Sequence, residues 1–322
     1  MQESIFEEIA KKIPANERLA DIISDLLGIN ADSAYRRIRG EKQLKLPELV
    51  KIATHFNLSV DSFLGIKSNT VVFRYNPMDI LNIDNYRNYI REIMEIISNM
   101  SKDGNGEMLY TAEDIPLFHF LRFRELTLFK IYIWYSAVSG KESTFEQFVK
   151  EIEGKDILYR DFDNLHKGYM NLPSYEIWTE QTVEHILKSL EYSCELGDIE
   201  SEKTTDILYE QLKTLMENVE AWVKTEKKDD KGDFKLYLSS NNPENNFMLV
   251  KNANDAVVAI RLYTVKSIFT SNAMFCRETE RWIKNIMDKS VLLSGASAKE
   301  RAKFFQNQQG KIDVSRNRLK NR

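Results

Sequence analysis

Residues that could contact nucleic acid are concentrated between positions 32 and 45 of this 322-residue chain. Five basic side chains stand there against two acidic ones, Asp32 and Glu41. On a helix of about 100° per residue that follows Gly28, four hydrogen-bonding side chains share one face: Asp32, Tyr35, Arg36 and Arg39. The major groove of DNA, about 12 Å wide, admits such a helix, with arginine donating to guanine and aspartate accepting from cytosine. The spacing therefore predicts that these four side chains read bases.

Side chains beside that face are suited to the phosphate backbone of DNA. Contacts to phosphate oxygens come from basic and hydroxyl groups, and they fix the position of the protein without reading sequence. The predicted phosphate contacts are Ser33, Arg37, Lys42 and Lys45. The alternative for this basic segment is a solvated helix end, because arginine is favoured near the negative end of the helix dipole.

Length and composition bound the class of protein. With 322 residues and 43% hydrophobic side chains, the chain can form two packed domains. Its net charge of −4 means that DNA binding must rest on the local distribution of charge. Cys194 and Cys276 form no CxxC motif, the first residues lack a signal-peptide profile, and no apolar run reaches the roughly 20 residues of a membrane span. We therefore expect a soluble cytoplasmic protein with no membrane partner.

Five short helices are predicted at the start of the chain. Pro14 ends the first helix, and Asn16 caps the second, whose apolar residues recur at helical spacing. Gly28 suits the turn after the second helix because glycine accepts a positive φ, and Asn30 is a good N-cap for the third. The predicted ranges are 4–12, 18–27, 31–39, 46–56 and 60–65.

The residues around that turn have the pattern of a known class of DNA-binding domain. The relevant segments are LLGIN at 26–30, YRRIRGE at 35–41 and LVKIATHFNLSV at 49–60, with Phe63 and Leu64 in the closing apolar positions. They resemble the lambda-repressor-like, or XRE, helix-turn-helix family. The resemblance implies a five-helix DNA-binding domain over residues 1–66, with the helix at 31–39 in the major groove. The family often has glutamine where Ala31 stands and an apolar residue where Arg37 stands, so we expect a slightly rotated third helix anchored by Ile38.

The remainder of the chain predicts a larger, mixed domain. Residues 67–70 form a linker, residues 71–295 an α+β sensing or dimerisation domain, and residues 296–322 a basic C-terminal helix and tail. Predicted helices lie at 85–100, 143–153, 156–170, 175–196, 201–226 and 272–288, and a charged surface connector at 224–233. Predicted strands lie at 71–75, 108–112 and 290–295, with an antiparallel β-meander formed by 234–240, 247–251 and 256–264. The predicted fold class is mainly α with a smaller sheet (α+β).

Two segments of this larger domain each have two interpretations. The aromatic stretch from Leu117 to Val138 is either a buried central helix, which we favour, or an effector pocket with an anion clamp. The clamp would be formed by Phe118, His119, Phe120, Arg122 and Arg124. The basic segment 296–322 either adds phosphate contacts or is a disordered terminus, which we favour.

Catalytic and metal-binding motifs are not found in the sequence. There is no phosphate-binding loop, no dinucleotide fingerprint and no HExxH motif, and the four histidines are scattered. We expect no enzyme activity, no cofactor and no metal. The leading hypothesis is a transcriptional regulator that binds double-stranded DNA as a homodimer, with a small-molecule or protein effector acting on the second domain. The alternative is a helical interaction module attached to an uncharacterised enzyme or scaffold domain.

Overall fold

The computed structural model describes residues 2–13, 17–56, 58, 60, 70–76, 83–139, 143–152, 156–243, 245–262 and 266–320. The chain divides into two compact units, residues 1–72 and 73–322. Within the described ranges there are 13 helices and 8 strands, which confirms the predicted α+β class. None of the described helices is long and apolar enough to cross a membrane.

The N-terminal unit is helical throughout its described part. Its helices are α1 (Gln2–Lys12), α2 (Leu19–Leu27), α3 (Ala31–Ile38) and α4 (Leu46–His55). One apolar side of each helix meets the others in a small core made by Ile5, Phe6, Ile9, Ile23, Ala34 and Ile52. The first four predicted helices are thus confirmed. The Asn16 cap and most of the predicted fifth helix lie outside the described residues.

The larger unit combines a mixed sheet with long helices. Its strands are β1 (Arg74–Tyr75), β2 (Glu107–Thr111), β3 (Ser174–Trp178), β4 (Phe234–Leu238), β5 (Phe247–Lys251), β6 (Ala256–Arg261), β7 (Ser267–Thr270) and β8 (Val291–Leu292). Its helices are α5 (Ile83–Ser101), α6 (Leu117–Phe120), α7 (Arg124–Ser139), α8 (Phe145–Ile152), α9 (Asp156–Asn171), α10 (Glu184–Glu195), α11 (Glu202–Thr225), α12 (Ala273–Asp288) and α13 (Ala298–Lys320).

The strands form one sheet in the order β1-β7-β6-β5-β2-β3-β4-β8. The central strands β2, β3 and β4 are parallel, and every other pairing is antiparallel. Side chains alternate between the two faces of a strand. Met108 and Phe234 therefore point into the large core with α5 to α11 and α13, whereas Leu109 and Ile177 point into a smaller core with α12.

Several predictions for this unit are wrong. The sequence predicts a helix at 175–196, but residues 175–178 belong to β3 (Ser174–Trp178) and only Glu184–Glu195 is helical there. The segment 234–240 does not join the meander, because β4 pairs in parallel with β3; the meander is β5, β6 and β7. The predicted surface connector at 224–233 is exposed at most of its positions, but Lys228 within it is fully buried.

The aromatic stretch is a core segment broken in two, rather than one helix. Helix α6 ends at Phe120 and α7 begins at Arg124, and the rings of Phe118 and Phe120 are buried. His119 is buried against Glu176, with 2.9 Å between Nε2 and Oε2. Arg122 pairs with Asp229 at 3.1 Å, and the guanidinium of Arg124 lies 4.7 Å from the Tyr159 ring centroid. These contacts favour the core interpretation over an anion clamp.

The predicted C-terminal helix is confirmed as α13 (Ala298–Lys320), and because it continues to Lys320 the favoured prediction of a disordered terminus is wrong. Helix α13 packs against α10 and α11, and its own side chains Phe304 and Phe305 are buried. Several of its cations pair with acidic side chains of those two helices. Examples are Lys311 with Glu184 at 2.9 Å, and Arg316 with Asp206 at 2.7 Å and with Glu210.

Candidate nucleic-acid interface

A glycine turn joins α2 to α3 and sets the direction of α3. Gly28 has φ +65° and ψ +40°, a left-handed conformation that side chains with a Cβ rarely adopt. The N–H of Ile29 donates to the Ser24 carbonyl at 3.0 Å, which closes the end of α2. Asn30 then caps α3 by accepting from the Ser33 N–H at 2.9 Å. The predicted roles of Gly28 and Asn30 in the turn are confirmed.

The four predicted base-reading residues lie together on the solvent side of α3. Tyr35 is 42% exposed, the side chains of Arg36 and Arg39 are 54% and 69% exposed, and Asp32 is also exposed. The guanidinium carbon of Arg39 lies 5.9 Å from the Tyr35 ring centroid. Because Ala34 faces the core on the opposite side, α3 presents this polar face outward.

Arg37 has a structural position, which corrects its assignment to a phosphate. The residue is 3% exposed. Its Nε donates to Glu48 Oε2 at 3.0 Å and its Nη2 to Oε1 at 2.7 Å, so the pair is bidentate. A third bond runs from Nη1 to the Ser33 carbonyl at 3.1 Å. The guanidinium therefore links α3 to α4 and is not available to DNA.

Gln2 at the start of α1 fixes the segment after α3, a role that sequence reasoning missed. Its Nε2 donates to the carbonyls of Arg37 at 2.6 Å and Lys42 at 2.8 Å. Its Oε1 accepts from the Leu44 N–H at 2.9 Å. One amide thus satisfies three backbone groups between α3 and α4. No spacing rule connects residues 2 and 44, so only the fold could reveal this contact.

The other predicted phosphate contacts remain accessible. Lys42 and Lys45 are exposed, and Ser33 is half-buried at the start of α3. Glu41 lies 3.8 Å from Arg36 and 3.9 Å from Arg39, long exposed pairs of the kind that contribute little to stability. The arginines can therefore exchange this carboxylate for an acceptor on DNA at small cost.

The turn at Gly28, the exposed polar face of α3 and the buried ion pair behind it form a helix-turn-helix arrangement. Residues 5–88 match the family model described as the BetR domain, which is a helix-turn-helix-type DNA-binding domain family. The match indicates a DNA-binding regulatory role. No curated protein and no solved structure matches the chain.

Acid is expected to weaken the link between α3 and α4. Hydrogen bonding to Arg37 lowers the pKa of Glu48 from 4.5 to about 2. Because the folded-state pKa is depressed, this contribution to stability is complete above about pH 4.5 and is lost as the pH falls towards 2. The protection factors of amides in α3 and α4, which correct for the intrinsic pH dependence of exchange, should fall more over that range in the wild type than in E48Q. Equal acid sensitivity of the two proteins would contradict this account.

Proposed function

We propose that this protein is a sequence-specific transcriptional regulator that places α3 in the major groove of double-stranded DNA. The observation that carries the proposal is the exposed face of Asp32, Tyr35, Arg36 and Arg39 on a helix fixed from behind. A face that reads bases must be held rigidly, and the buried ion pair of Arg37 supplies that support. The match to a DNA-binding family supports the same role.

The groups on this face divide by the bonds they can make. Arg36 and Arg39 would donate to guanine O6 and N7, and Asp32 would accept from cytosine N4. Ser33, Lys42 and Lys45 would contact phosphates and fix the register of the helix. This arrangement agrees with the resemblance to lambda-repressor-like domains, with the buried Arg37 as a difference.

A homodimer is part of the same proposal, with the larger unit serving dimerisation, effector sensing or both. A single helix-turn-helix makes few base contacts, whereas a dimer places two recognition helices about 34–36 Å apart on two half-sites. Selection of bound sequences from random double-stranded DNA, with the full chain, tests the point. A motif of two symmetric half-sites is expected, and a single asymmetric site would contradict dimeric binding.

Loss of either exposed arginine should reduce affinity for the selected site. R36A and R39A are each expected to cost about 1–3 kcal/mol of binding free energy and to relax the base preference at one position. R277A is the matched control, because it removes an exposed arginine from α12 of the larger unit. Gel shifts measure the affinities. Unchanged binding in both interface variants would favour the alternative of an interaction module attached to an enzyme or scaffold domain.

The phosphate contacts predict a salt effect that is independent of sequence. K42A/K45A should weaken binding to specific and random DNA alike, and lower the slope of log Kobs against log salt concentration by about 2. K188A/K284A removes two exposed lysines from the larger unit and should leave the slope unchanged. An unchanged slope in K42A/K45A, or an equal reduction in the control, would contradict specific phosphate contacts by these lysines.

A further inference from the structure

A buried cavity lies in the larger unit beside the end of strand β2. Its volume is about 50 Å³, and its walls come from α5, α6, α7 and strands β2, β5, β6 and β7. Asp114, just beyond the end of β2, lines the cavity together with Lys130 and Arg261. In open sheets, ligands bind beyond the carboxyl ends of parallel strands. The cavity occupies that position relative to β2.

Both oxygens of the cavity's carboxylate already have partners. Asp114 Oδ1 accepts from Asn246 Nδ2 at 2.7 Å. Its Oδ2 accepts from Lys130 Nζ at 2.7 Å and lies 2.8 Å from Arg261 Nη1. Both carboxylate oxygens therefore have partners, and the charges and hydrogen bonds of these groups hold the pKa of Asp114 well below its usual range despite its desolvation.

Donor groups, in contrast, are left over. Among the described residues, Lys130 Nζ donates to Asp114 alone, although an ammonium has three N–H groups. The Tyr110 side chain also lines the cavity, and its hydroxyl has no hydrogen-bond partner in the described part of the chain. A ligand that fits this inventory must bring an acceptor.

The charges around the cavity are balanced. Arg261 Nη2 donates to Glu113 at 2.7 Å, so Lys130 and Arg261 stand against Asp114 and Glu113. An added carboxylate would place a charge there that nothing neutralises, and an added cation would compete with Lys130 and Arg261 for the two carboxylates. The balance selects an uncharged ligand.

A second pocket adjoins the cavity. It has a volume of about 240 Å³ and shares Tyr89, Ser267 and Phe269 with the cavity. Tyr89 Oη and Ser267 Oγ are 3.4 Å apart, a long contact that is easily broken. Together the two spaces are near the lower end of the range for ligand sites, about 300 Å³.

We propose that this cavity binds a small uncharged carbonyl compound that enters past Tyr89 and Ser267. The carbonyl oxygen accepts from Lys130 and Tyr110, and an apolar body packs against Phe118 and Trp134. This inference names a ligand class for the proposed sensing role of the larger unit. The regulatory meaning of ligand binding rests on that proposed role. Binding itself is measured without DNA, so each part can fail separately.

Four probes that share a benzene ring and differ in their substituent test the ligand preference of the full chain. They are acetophenone, benzoate, benzylamine and ethylbenzene, and saturation-transfer NMR with competition gives their affinities. Acetophenone is expected to bind about tenfold tighter than each of the others, the value of one hydrogen bond to a charged donor. Equal or tighter binding of benzoate, benzylamine or ethylbenzene, or no binding by acetophenone, would overturn the proposal.

Variants on strand β6 locate the site. Ala259 lines the cavity, so A259V should fill it and lower acetophenone affinity at least about tenfold. Ala256 lies on the same strand and faces α12, so A256V should bind as the wild type does. K130M should reduce the affinity for acetophenone to that for ethylbenzene. If K130M does not fold, the comparison of A259V with A256V still tests the location of the site. Equal acetophenone affinity in A259V and A256V would contradict this location of the binding site.

The DNA readout separates this inference from the proposed function. If acetophenone binds and changes affinity for the selected DNA site, both the site and the sensing role are supported. If it binds and DNA affinity does not change, the site is supported and the sensing role is contradicted.

Discussion

Replacement of Arg37 by methionine is expected to destabilise the N-terminal unit by about 3–5 kcal/mol. The substitution removes a buried guanidinium that binds Glu48 through two hydrogen bonds and leaves that carboxylate without its partner. A unit of this size has a total stability of only about 5 kcal/mol, so much of the population should unfold. Hydrogen exchange of amides in α2, α3 and α4 of the full chain measures the loss.

A double variant separates the ion pair from simple packing. R37M/E48L replaces both charges by apolar side chains of similar size, and such exchanges are often neutral or stabilising. We therefore expect R37M/E48L to recover most of the protection that R37M loses. Wild-type protection in R37M alone would show that the pair does not hold α3 against α4.

Removal of the buried carboxylate at the centre of β3 should have an effect of similar size on the larger unit. Glu176 has no exposed side-chain surface. Its Oε2 accepts from Trp178 Nε1 at 2.8 Å and lies 2.9 Å from His119 Nε2, and its Oε1 accepts from Tyr169 Oη at 2.8 Å. E176L would leave these polar groups buried without their acceptor, at a cost of about 3–5 kcal/mol. For a unit this large, that corresponds to a fall in Tm of roughly 10 °C.

Calorimetry measures the Tm of E176L, and two further variants provide a scale for the change. Y169F removes one hydrogen bond to the carboxylate of the same cluster and should cost about 2 kcal/mol. E278L changes an exposed glutamate on α12 and should leave the Tm close to that of the wild type. An E176L Tm that matches the E278L Tm would contradict the importance of this cluster.

The helices of the N-terminal unit were predictable because their determinants are local. Apolar periodicity, the left-handed turn at Gly28 and the cap at Asn30 act within a few residues of one another. The outward face of α3 follows from the same periodicity. Arg37 was not predictable in this way, because an arginine is ordinarily exposed and its partner Glu48 lies on another helix. A glutamate in the first turn of α4 was the available signal, and it has two interpretations, a helix cap or a partner for a buried cation.

The larger unit was harder to predict because its sheet depends on distant partners. β3 contains Ser174 and Glu176, which do not resemble a buried strand until His119, Tyr169 and Trp178 surround the carboxylate. β4 has the pattern of its neighbours in sequence, but parallel pairing with β3 requires the crossover through α10 and α11. Lys228 was assigned to the surface by its charge. Its ammonium in fact donates to the carbonyls of Tyr169 and Leu172 and to Ser174 Oγ.

The central position of β2 in the sheet has a consequence for the order in which the chain folds. Thr111 on β2 pairs with Phe247 on β5, 136 positions further along the chain. Contacts between such distant residues are slow to form, whereas the short helices of the N-terminal unit make mostly local contacts. During synthesis, β2 has no β5 to pair with until most of the chain has left the ribosome. We therefore expect the N-terminal unit to fold before all strands of the larger unit's sheet have been synthesised.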